Sequence, residues 1–175
     1  MRFTATKLEG AWIVEPQLHE DTRGLFARTF CAREFSEQGL VDTFVQCNTS
    51  WNARKGTVRG LHYQLPPSSE VKLVRCTAGA LCDVIIDLRP GSPTYLQHVA
   101  VDLSARNRLA LYIPGMFAHG FQALEDGTEV FYQMSEFHAP KLSRGIRYDD
   151  PKLGVQWPLP ITSISDQDLG WRLLE

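Results

Sequence analysis

The chain has 175 residues, 43% of them hydrophobic, and this length and composition predict one globular domain over residues 1–175 rather than a disordered or multidomain chain. Its 18 lysine and arginine residues nearly balance 20 aspartate and glutamate residues, and the net charge of −2 argues against a nucleic acid as partner but allows a small anionic ligand in a locally basic cleft. No apolar run suits a signal peptide or a membrane span, which predicts a cytoplasmic protein with no membrane partner.

Short alternations of apolar and polar residues, separated by turn residues, predict an all-β chain. The predicted strands are, in order, Ala11–Glu15, Leu25–Phe30, Thr43–Thr49, Thr57–Gln64, Lys72–Thr77, Ala80–Leu88, Tyr95–Leu103, Leu109–Ile113, Phe117–Leu124 and Thr128–Phe137. The one predicted helix is Ala32–Gln38, which Gly39 ends. Ala78-Gly79 connects two strands so closely that it predicts a hairpin, with Gly79 at positive φ.

The remaining sequence features concern the end of the chain and the cysteines. From Pro140 onward the chain is rich in proline and poor in long alternations, which predicts a loop-rich tail that wraps the same domain. Many strands with so little helix favour a jelly roll or a similar antiparallel barrel, whose mouth is a natural ligand pocket. The cysteines include no C-x-x-C pair and lie in strand-like or apolar contexts, so we expect reduced core thiols at Cys31, Cys47, Cys76 and Cys82.

The segment Arg59–Gln64 contains the first candidate for acid–base chemistry. Strand alternation places His62 on the same face as Gly60 and Gln64, so His62 points into the barrel, either as a general base or as a core histidine bonded to backbone. Gly60 favours the base, because a glycine inside a strand often marks the close approach of another group, frequently a ligand.

Two further polar side chains are predicted to face the interior. Lys72 shares a strand face with Val74 and Cys76, so its ammonium either meets a carboxylate, a ligand oxygen or water, or extends to the rim. Tyr132 falls in step with Val130 and faces inward, where its phenol needs a partner. Taken alone, Tyr132 favours a structural role.

A histidine after a proline-glycine turn, in the segment Ile113–Gly120, resembles the second sequence motif of the cupins. Many cupins bind a metal through a His-x-His pair and a glutamate of the first motif, but here the residue two after His62 is Gln64. We therefore expect no metal ion, and a metal-dependent cupin oxygenase is the weaker alternative.

Several short motifs occur together in one order, namely RGLHYQ at Arg59–Gln64, Pro66-Pro67, KLVR at Lys72–Arg75, FAHGF at Phe117–Phe121 and Asp149–Pro151. In this combination, from about Ile13 to Asp168, the chain resembles the dTDP-4-dehydrorhamnose 3,5-epimerase family. The resemblance implies a cupin-type jelly roll with a few short helices, no metal or cofactor, and a homodimer that exchanges N-terminal strands. It also implies a nucleoside-diphosphate 4-keto-6-deoxyhexose as substrate, inverted at C3, C5 or both, foremost dTDP-4-dehydro-6-deoxyglucose to dTDP-4-dehydrorhamnose.

The resemblance further implies roles for individual residues. His62 is the base, Asp168 the carboxylate that orients it, and Tyr132 the acid on the opposite face of the sugar. Lys72 donates to the 4-oxygen, where negative charge develops once a proton leaves the carbon beside the ketone. Residues implied in phosphate, sugar or nucleotide binding are Arg23, Arg59, Gln46, Asn48 and His119.

The basic residues of the implied site raise a geometric question. Arg23, Arg59 and Lys72 together have the charge to neutralise a diphosphate. Strand alternation nevertheless places Arg59 opposite His62. Both residues reach one ligand if the strand carries a bulge or a twist near Gly60, and we predict such an irregularity.

Several positions depart from the usual residues of the family, and three of them are kept as candidate substrate-binding residues. Arg28 and Ser143 stand where typical members carry glutamates associated with nucleotide binding, which opens a cytidine or guanosine diphosphate carrier as an alternative. His138 replaces a tyrosine near the sugar and makes inversion at a single carbon a second alternative. Glu70-Val71 replaces Gln-Gly before the lysine. The altered nucleotide site also leaves a non-catalytic sugar-nucleotide binding module as a remote reading.

Overall fold

The structure is a computed structural model that describes residues 1–174, and it is built almost entirely from antiparallel strands. Within this described part of the chain, no helix is long and apolar enough to cross a membrane. The elements are β1 (Arg2–Ala5), β2 (Trp12–Glu15), β3 (Leu18–Asp21), β4 (Gly24–Ala27), α1 (Ala32–Glu37), β5 (Gln46–Asn52), β6 (Val58–Gln64), β7 (Lys72–Ala78), β8 (Ala80–Asp87), β9 (His98–Ser104), β10 (Ala110–Ile113), β11 (Phe117–Ala123), β12 (Thr128–Met134), β13 (Ser143–Gly145) and α2 (Asp166–Leu169).

Two sheets face each other and enclose the main core. One contains six strands in the order β1-β2-β10-β7-β12-β5, and the other contains five in the order β13-β6-β11-β8-β9. Alternate residues of the facing strands, such as Val74 on β7 and Ile85 on β8, are fully buried between the sheets. This period-two burial is the pattern that the sequence predicted, and the predicted all-β jelly-roll class is confirmed.

The connection between β7 and β8 differs from the prediction. Gly79 has the expected positive φ of 71°, but β7 pairs with β10 and β12 while β8 pairs with β9 and β11. The predicted hairpin is therefore wrong, since the turn carries the chain from one sheet to the other. A Cβ on Gly79 would lie 2.6 Å from Thr128 Oγ1, so the corner also requires a glycine for space.

Element boundaries shift most around α1, whose predicted position and glycine stop are confirmed. The predicted strand Leu25–Phe30 ends at Ala27, and the predicted strand Thr43–Thr49 begins at Gln46. Phe30 and Phe44 instead lie outside strands and pack on Phe35 of α1, with ring centroids 5.0 and 6.5 Å away respectively. These two aromatic residues thus pack against a helix and not within a strand. The alternation of apolar and polar residues alone does not distinguish these two arrangements.

The four cysteines are free, as predicted, but they do not share one environment. Cys76 and Cys82 are buried, and burial raises the pKa of both thiols to about 11. Cys31 is half-buried, and Cys47 is exposed because it lies on β5, the edge strand of the six-stranded sheet. The expectation of a core thiol is therefore wrong for Cys47.

The loop-rich tail crosses the outer face of the five-stranded sheet. Trp157 packs on the apolar cluster of that face, and the Gln122 side chain bonds both the N–H and the C=O of Leu159. The tail ends in α2, whose N-cap Ser165 accepts a hydrogen bond from the Asp168 N–H at 3.1 Å. This cap fixes the helix that presents Asp168 to β6.

Candidate active site

A cavity of about 690 Å³ opens between the two sheets at one end of the sandwich. The five-stranded sheet forms one wall through β6 and β11, the six-stranded sheet forms the other through β5, β7 and β12, and α2 closes one side. The cavity contains half of the residues predicted for the site, namely Arg59, His62, Lys72, His119, Tyr132 and Asp168. The predicted catalytic residues therefore come together from four elements.

The His62 imidazole is bonded to the Asp168 carboxylate. Nε2 of His62 lies 2.6 Å from Oδ1 of Asp168, and Asp168 is buried. The Trp171 indole N–H also donates to Oδ1 and the Gly60 N–H donates to Oδ2, at 3.3 Å each. Burial raises the pKa of the Asp168 carboxyl, but the hydrogen bonds from His62 and Gly60 outweigh it and hold this pKa below its usual value. An ionised partner at Nε2 favours the tautomer with its proton there, which leaves Nδ1 as the basic nitrogen.

A bulge in β6 brings Arg59 and His62 to the same cavity, as the sequence required. Three residue steps from Arg59 to His62 on β6 match two steps on β11. The bulge lies at Gly60, where φ is 121° and a Cβ would lie 2.5 Å from the Gly120 Cα. The close approach that the glycine indicated is thus that of the neighbouring strand β11.

The Arg59 guanidinium stands at the mouth of the cavity. Its Nε donates to Asn52 Oδ1 at 2.8 Å, and its Nη2 donates to the Trp51 C=O at 3.4 Å. Both acceptors are neutral, so these bonds orient the guanidinium without cancelling its charge. Trp51 is exposed beside it and also lines the cavity. An anionic group entering the mouth therefore meets a pre-oriented cation.

Lys72 and Tyr132 lie on neighbouring strands of the opposite wall. Val130 and Met134 are buried on either side of Tyr132, as alternation predicted, and Tyr132 lines the cavity. Within residues 1–174 its hydroxyl has no hydrogen-bond partner. The Lys72 side chain is 10% exposed, and its Nζ lies 2.8 Å from Glu70 Oε1. Of the two predicted readings for Lys72, the carboxylate partner is confirmed and the extension to the rim is wrong.

A second histidine–carboxylate pair lies on the wall that carries His62. His119 Nε2 is 2.5 Å from Oδ1 of Asp83, which is fully buried on β8. Sequence reasoning missed Asp83, although a carboxylate in the middle of the apolar strand Ala80–Asp87 is a signal that it has a partner. The pair holds the His119 ring at the cavity wall.

Three predicted site residues from β5 and the β12–β13 connection lie outside the cavity of a single chain. Gln46 Oε1 accepts from the His138 N–H at 2.8 Å, so these two residues are linked to each other. The His138 side chain is exposed. Asn48 lies opposite Tyr132 in the β5–β12 register, at the edge of the six-stranded sheet. All three remain candidates because the cavity opens near this edge.

Three others lie farther along the surface. Arg23 sits in the exposed turn between β3 and β4, where its guanidinium pairs with Asp21 at 2.6 Å. Arg28 pairs with Glu34 at 3.2 Å beside a small second pocket. Ser143 pairs with Gln64 between β13 and β6. Their roles in binding stay predictions.

Gln64 stands at the position that supplies a metal ligand in many cupins, and its side chain is hydrogen-bonded within the protein. The buried Gln64 donates to the Ser68 C=O at 3.0 Å and accepts from the Ala139 N–H at 2.6 Å. Its amide therefore links two connecting segments to β6 and does not line the cavity. Throughout the described residues, no group of three or more His, Cys, Asp or Glu side chains is arranged to hold a metal ion.

The fold and the cavity between its two facing sheets together define a cupin-type enzyme. The chain belongs to the dTDP-4-dehydrorhamnose 3,5-epimerase family, whose model matches residues 5–175. It is 44% identical over 176 residues to the dTDP-4-dehydrorhamnose 3,5-epimerase of Methanothermobacter thermautotrophicus, which covers 99% of this chain and 94% of that protein.

Solved structures of relatives superpose over nearly the whole chain. The dTDP-4-dehydrorhamnose 3,5-epimerase of Bacillus anthracis, solved with TDP and PPi bound, has a TM-score of 0.94 and 38% identity, covering 99% of each chain. The dTDP-6-deoxy-D-glucose-3,5-epimerase of Legionella pneumophila, in complex with dTDP-4-keto-L-rhamnose, has a TM-score of 0.92 and 38% identity, covering 98% of this chain and 92% of that one. These likenesses confirm the family and the fold predicted from the sequence motifs.

Proposed function

We propose that this chain inverts C3 and C5 of dTDP-4-dehydro-6-deoxyglucose to give dTDP-4-dehydrorhamnose. The observation that carries the proposal is that His62 and Tyr132 lie on opposite walls of one cavity that also contains Lys72. Inversion requires removal of a proton on one face of a carbon and its return on the other. Two walls with a base on one and a phenol on the other meet that requirement.

The first step is proton abstraction by His62. Nδ1 takes the proton from the carbon beside the ketone, the C–H electron pair moves to form an enolate, and His62 becomes an imidazolium. The Asp168 carboxylate, 2.6 Å from Nε2, holds the ring in place and stabilises that positive charge. A general base of this kind contributes about 10²- to 10⁴-fold in rate.

The enolate places negative charge on the 4-oxygen of the sugar. Lys72 supplies a cation on the wall of the cavity, and its donation to this oxygen is strongest once the charge has developed. Removing a donor of this kind typically costs about 10²- to 10³-fold in rate.

Tyr132 completes the inversion from the opposite wall. Its phenol gives a proton to the carbon, the enolate electrons return to form the new C–H bond, and the ketone is restored. His62 now carries the proton that the substrate lost and Tyr132 has lost one, so exchange with solvent resets both groups. The product is the epimer at that carbon, and the same groups serve the second carbon after the sugar shifts.

The diphosphate is proposed to bind at the mouth. Arg59 is oriented there by neutral acceptors, and Arg23 joins it from a second copy of the chain. The β3–β4 hairpin, which carries Arg23, pairs with neither main sheet, and Phe26 on it is 71% exposed. A homodimer that exchanges this hairpin would cover Phe26 and complete the site. The cytoplasmic location stays a prediction.

The decisive experiment follows hydrogen exchange and inversion at each carbon. The purified chain is incubated in deuterated water with 4-keto-6-deoxyglucose linked to dTDP, CDP or GDP, and NMR monitors deuterium and configuration at C3 and C5. We expect both carbons of the dTDP sugar to exchange and invert. Inversion of C3 alone would support the single-carbon alternative, and preference for CDP or GDP would support the alternative drawn from Arg28 and Ser143. No exchange with any of the three sugars would contradict an epimerase.

A further inference from the structure

Glu70 holds an unusual place beside the catalytic cavity. Its side chain is 11% exposed, and its Oε1 lies 2.8 Å from Nζ of Lys72, whose own side chain is 10% exposed. Among the described residues, those that line the cavity include Lys72 but not Glu70. The carboxylate therefore contacts the ammonium without itself lining the cavity. The roles proposed above leave Glu70 without a function.

The backbone on both sides of Glu70 is fixed. The Val71 N–H donates to Ser135 Oγ at 2.9 Å, and the Ser135 N–H donates to the Val71 C=O at 3.0 Å. On the other side, Ser69 packs so closely on Gly115 that a Cβ there would lie 3.2 Å from the Ser69 C=O oxygen. A carboxylate held in this way defines one position for its partner, whereas a lysine alone has four rotatable bonds.

The charge around Lys72 shows what the carboxylate balances. The ammonium has three donors and forms an ion pair with Glu70 at 2.8 Å, and it also lines the cavity, where donors are available to a ligand. Across the cavity from Lys72, the wall formed by β6 and β11 carries the guanidinium of Arg59 and the imidazoles of His62 and His119. The other titratable groups that line the cavity are the phenol of Tyr132 and the carboxylate of Asp168. Within this group Asp168 is committed to His62, so Glu70 is the anion placed to hold Lys72.

We propose that Glu70 is a positioning residue that fixes the Lys72 ammonium on the cavity wall, so that its free donors point at the oxygen where enolate charge develops. The inference rests on the proposed function, because it assigns Lys72 to that oxygen. A pre-oriented donor contributes mainly in the transition state, whereas substrate binding depends on the diphosphate and its arginines. Loss of Glu70 should therefore lower kcat and leave KM nearly unchanged.

The test compares Glu70→Gln with the wild type. Glutamine keeps the size of the side chain and removes its charge, so we expect kcat to fall on the order of 10-fold with KM within about 2-fold, a smaller loss than removal of a donor. Glu70→Asp keeps the charge but shortens the reach, and its kcat should be intermediate. Glu129→Gln is the matched control, because Glu129 bonds Thr77 on the exposed surface and should retain wild-type kcat.

A spectroscopic measurement separates positioning from a general effect on folding. In a His62→Asn background, which should bind the sugar without consuming it, the ¹³C shift of a labelled C4 reports polarisation of the ketone. Adding Glu70→Gln should move this shift towards the value of the free ketone, while thermal unfolding should show that each variant is folded. Adding Glu129→Gln should leave it unchanged.

The kinetic and spectroscopic results for Glu70→Gln decide whether Glu70 positions Lys72. A Glu70→Gln kcat equal to or above the wild type, or an unchanged C4 shift, would overturn the inference, because Glu70 would then merely neutralise Lys72. A parallel loss of kcat and thermal stability with an unchanged C4 shift would also overturn it and assign Glu70 to the fold. If the wild type neither exchanges nor inverts any sugar, the proposed function fails and takes this inference with it. An active wild type with the expected kcat and C4 changes supports both.

Discussion

At the scale of single residues, the site depends on pairs in which one side chain fixes another. His62 is hydrogen-bonded to Asp168 and His119 to Asp83, while Lys72 forms an ion pair with Glu70, and each of these carboxylates is buried or nearly so. A buried carboxylate needs a partner, and a side chain that supplies one loses its freedom to rotate. Each pair therefore converts a flexible polar group into a fixed element of the cavity wall.

Asp168→Asn should weaken catalysis without abolishing the fold. An amide neither stabilises the imidazolium nor enforces the Nε2 proton, so we expect kcat to fall about 10- to 10²-fold, less than for His62→Ala. Steady-state kinetics with circular dichroism would measure this. Asp166→Asn is the control, because Asp166 is exposed on the same short helix. Equal activity of Asp168→Asn and the wild type would mean that another carboxylate orients His62.

Tyr132→Phe should separate proton exchange from inversion. The ring continues to pack beside Val130 while the donor is lost, so His62 can still remove a proton and return it on the same face. Deuterium should therefore enter beside the ketone, while the inverted product falls on the order of 10²-fold. NMR in deuterated water would follow both. Tyr63→Phe is the matched control, because Tyr63 packs on the opposite side of its sheet. A joint loss of exchange and inversion would assign Tyr132 to binding or polarisation instead.

At the scale of elements, a single buried carboxylate holds the connection that follows β8. Asp87 ends β8 and is fully buried. Its carboxylate accepts from the Arg89 guanidinium at 2.7 Å, from Thr94 Oγ1 at 2.7 Å and from Ser92 Oγ at 2.5 Å. Burial raises the pKa of Asp87, but these bonds outweigh it and hold the pKa far below its usual value. One carboxylate thus organises the whole connection from β8 towards β9.

Asp87→Asn should destabilise the fold by about 3 kcal/mol, because Arg89 loses a buried partner. Urea unfolding would measure this loss, with Asp102→Asn on the exposed side of β9 as control. The lowered pKa also sets the pH dependence. The stabilisation from Asp87 is complete above the usual carboxyl pKa and is lost as pH falls towards the lowered value in the folded state. The Asn variant should therefore lose less stability on acidification than the wild type, and parallel curves would contradict this account.

At the scale of the whole molecule, the β3–β4 hairpin, where a second copy is proposed to bind, carries three exposed apolar side chains. Phe26 is 71% exposed, and Leu18 and Leu25 on the same hairpin are 42% and 38% exposed. A two-stranded hairpin with these residues in water is unfavourable, because isolated hairpins are marginally stable and exposed apolar clusters favour association. In the proposed dimer, a second copy would remove this apolar surface from water and bring Arg23 to the neighbouring cavity.

Phe26→Asp should convert a dimer into a monomer and lower activity. A charge at the centre of the buried hairpin would oppose association, and the cavity would lose Arg23 of the second copy. Size-exclusion chromatography with light scattering, together with turnover, would measure both effects. Tyr95→Asp serves as control, because Tyr95 is an exposed aromatic residue in the β8–β9 connection. A wild type that is monomeric at the concentrations of the assay would contradict the exchanged hairpin.

The sequence by itself determined which side chains of the site strands face the interior between the sheets. Period-two alternation correctly directed His62, Lys72 and Tyr132 inward, because the direction of a side chain depends on its immediate neighbours in the strand. The bulge at Gly60 was also predictable, since Arg59 and His62 needed to share a ligand. The family motifs also identified the fold, because each motif is a short run of residues that can be recognised in the sequence alone.

Only the tertiary structure decided which elements meet. Gly79 makes a tight turn in either case, yet β7 and β8 join different sheets because their buried faces are satisfied by distant strands. The contact between His62 and Asp168, 106 residues apart, was implied by the family resemblance and by no local pattern, whereas the partners of Asp83 and Glu70 became known only from the packing. Pairing and long-range contacts follow from the free energy of burying the whole chain, which no local pattern contains.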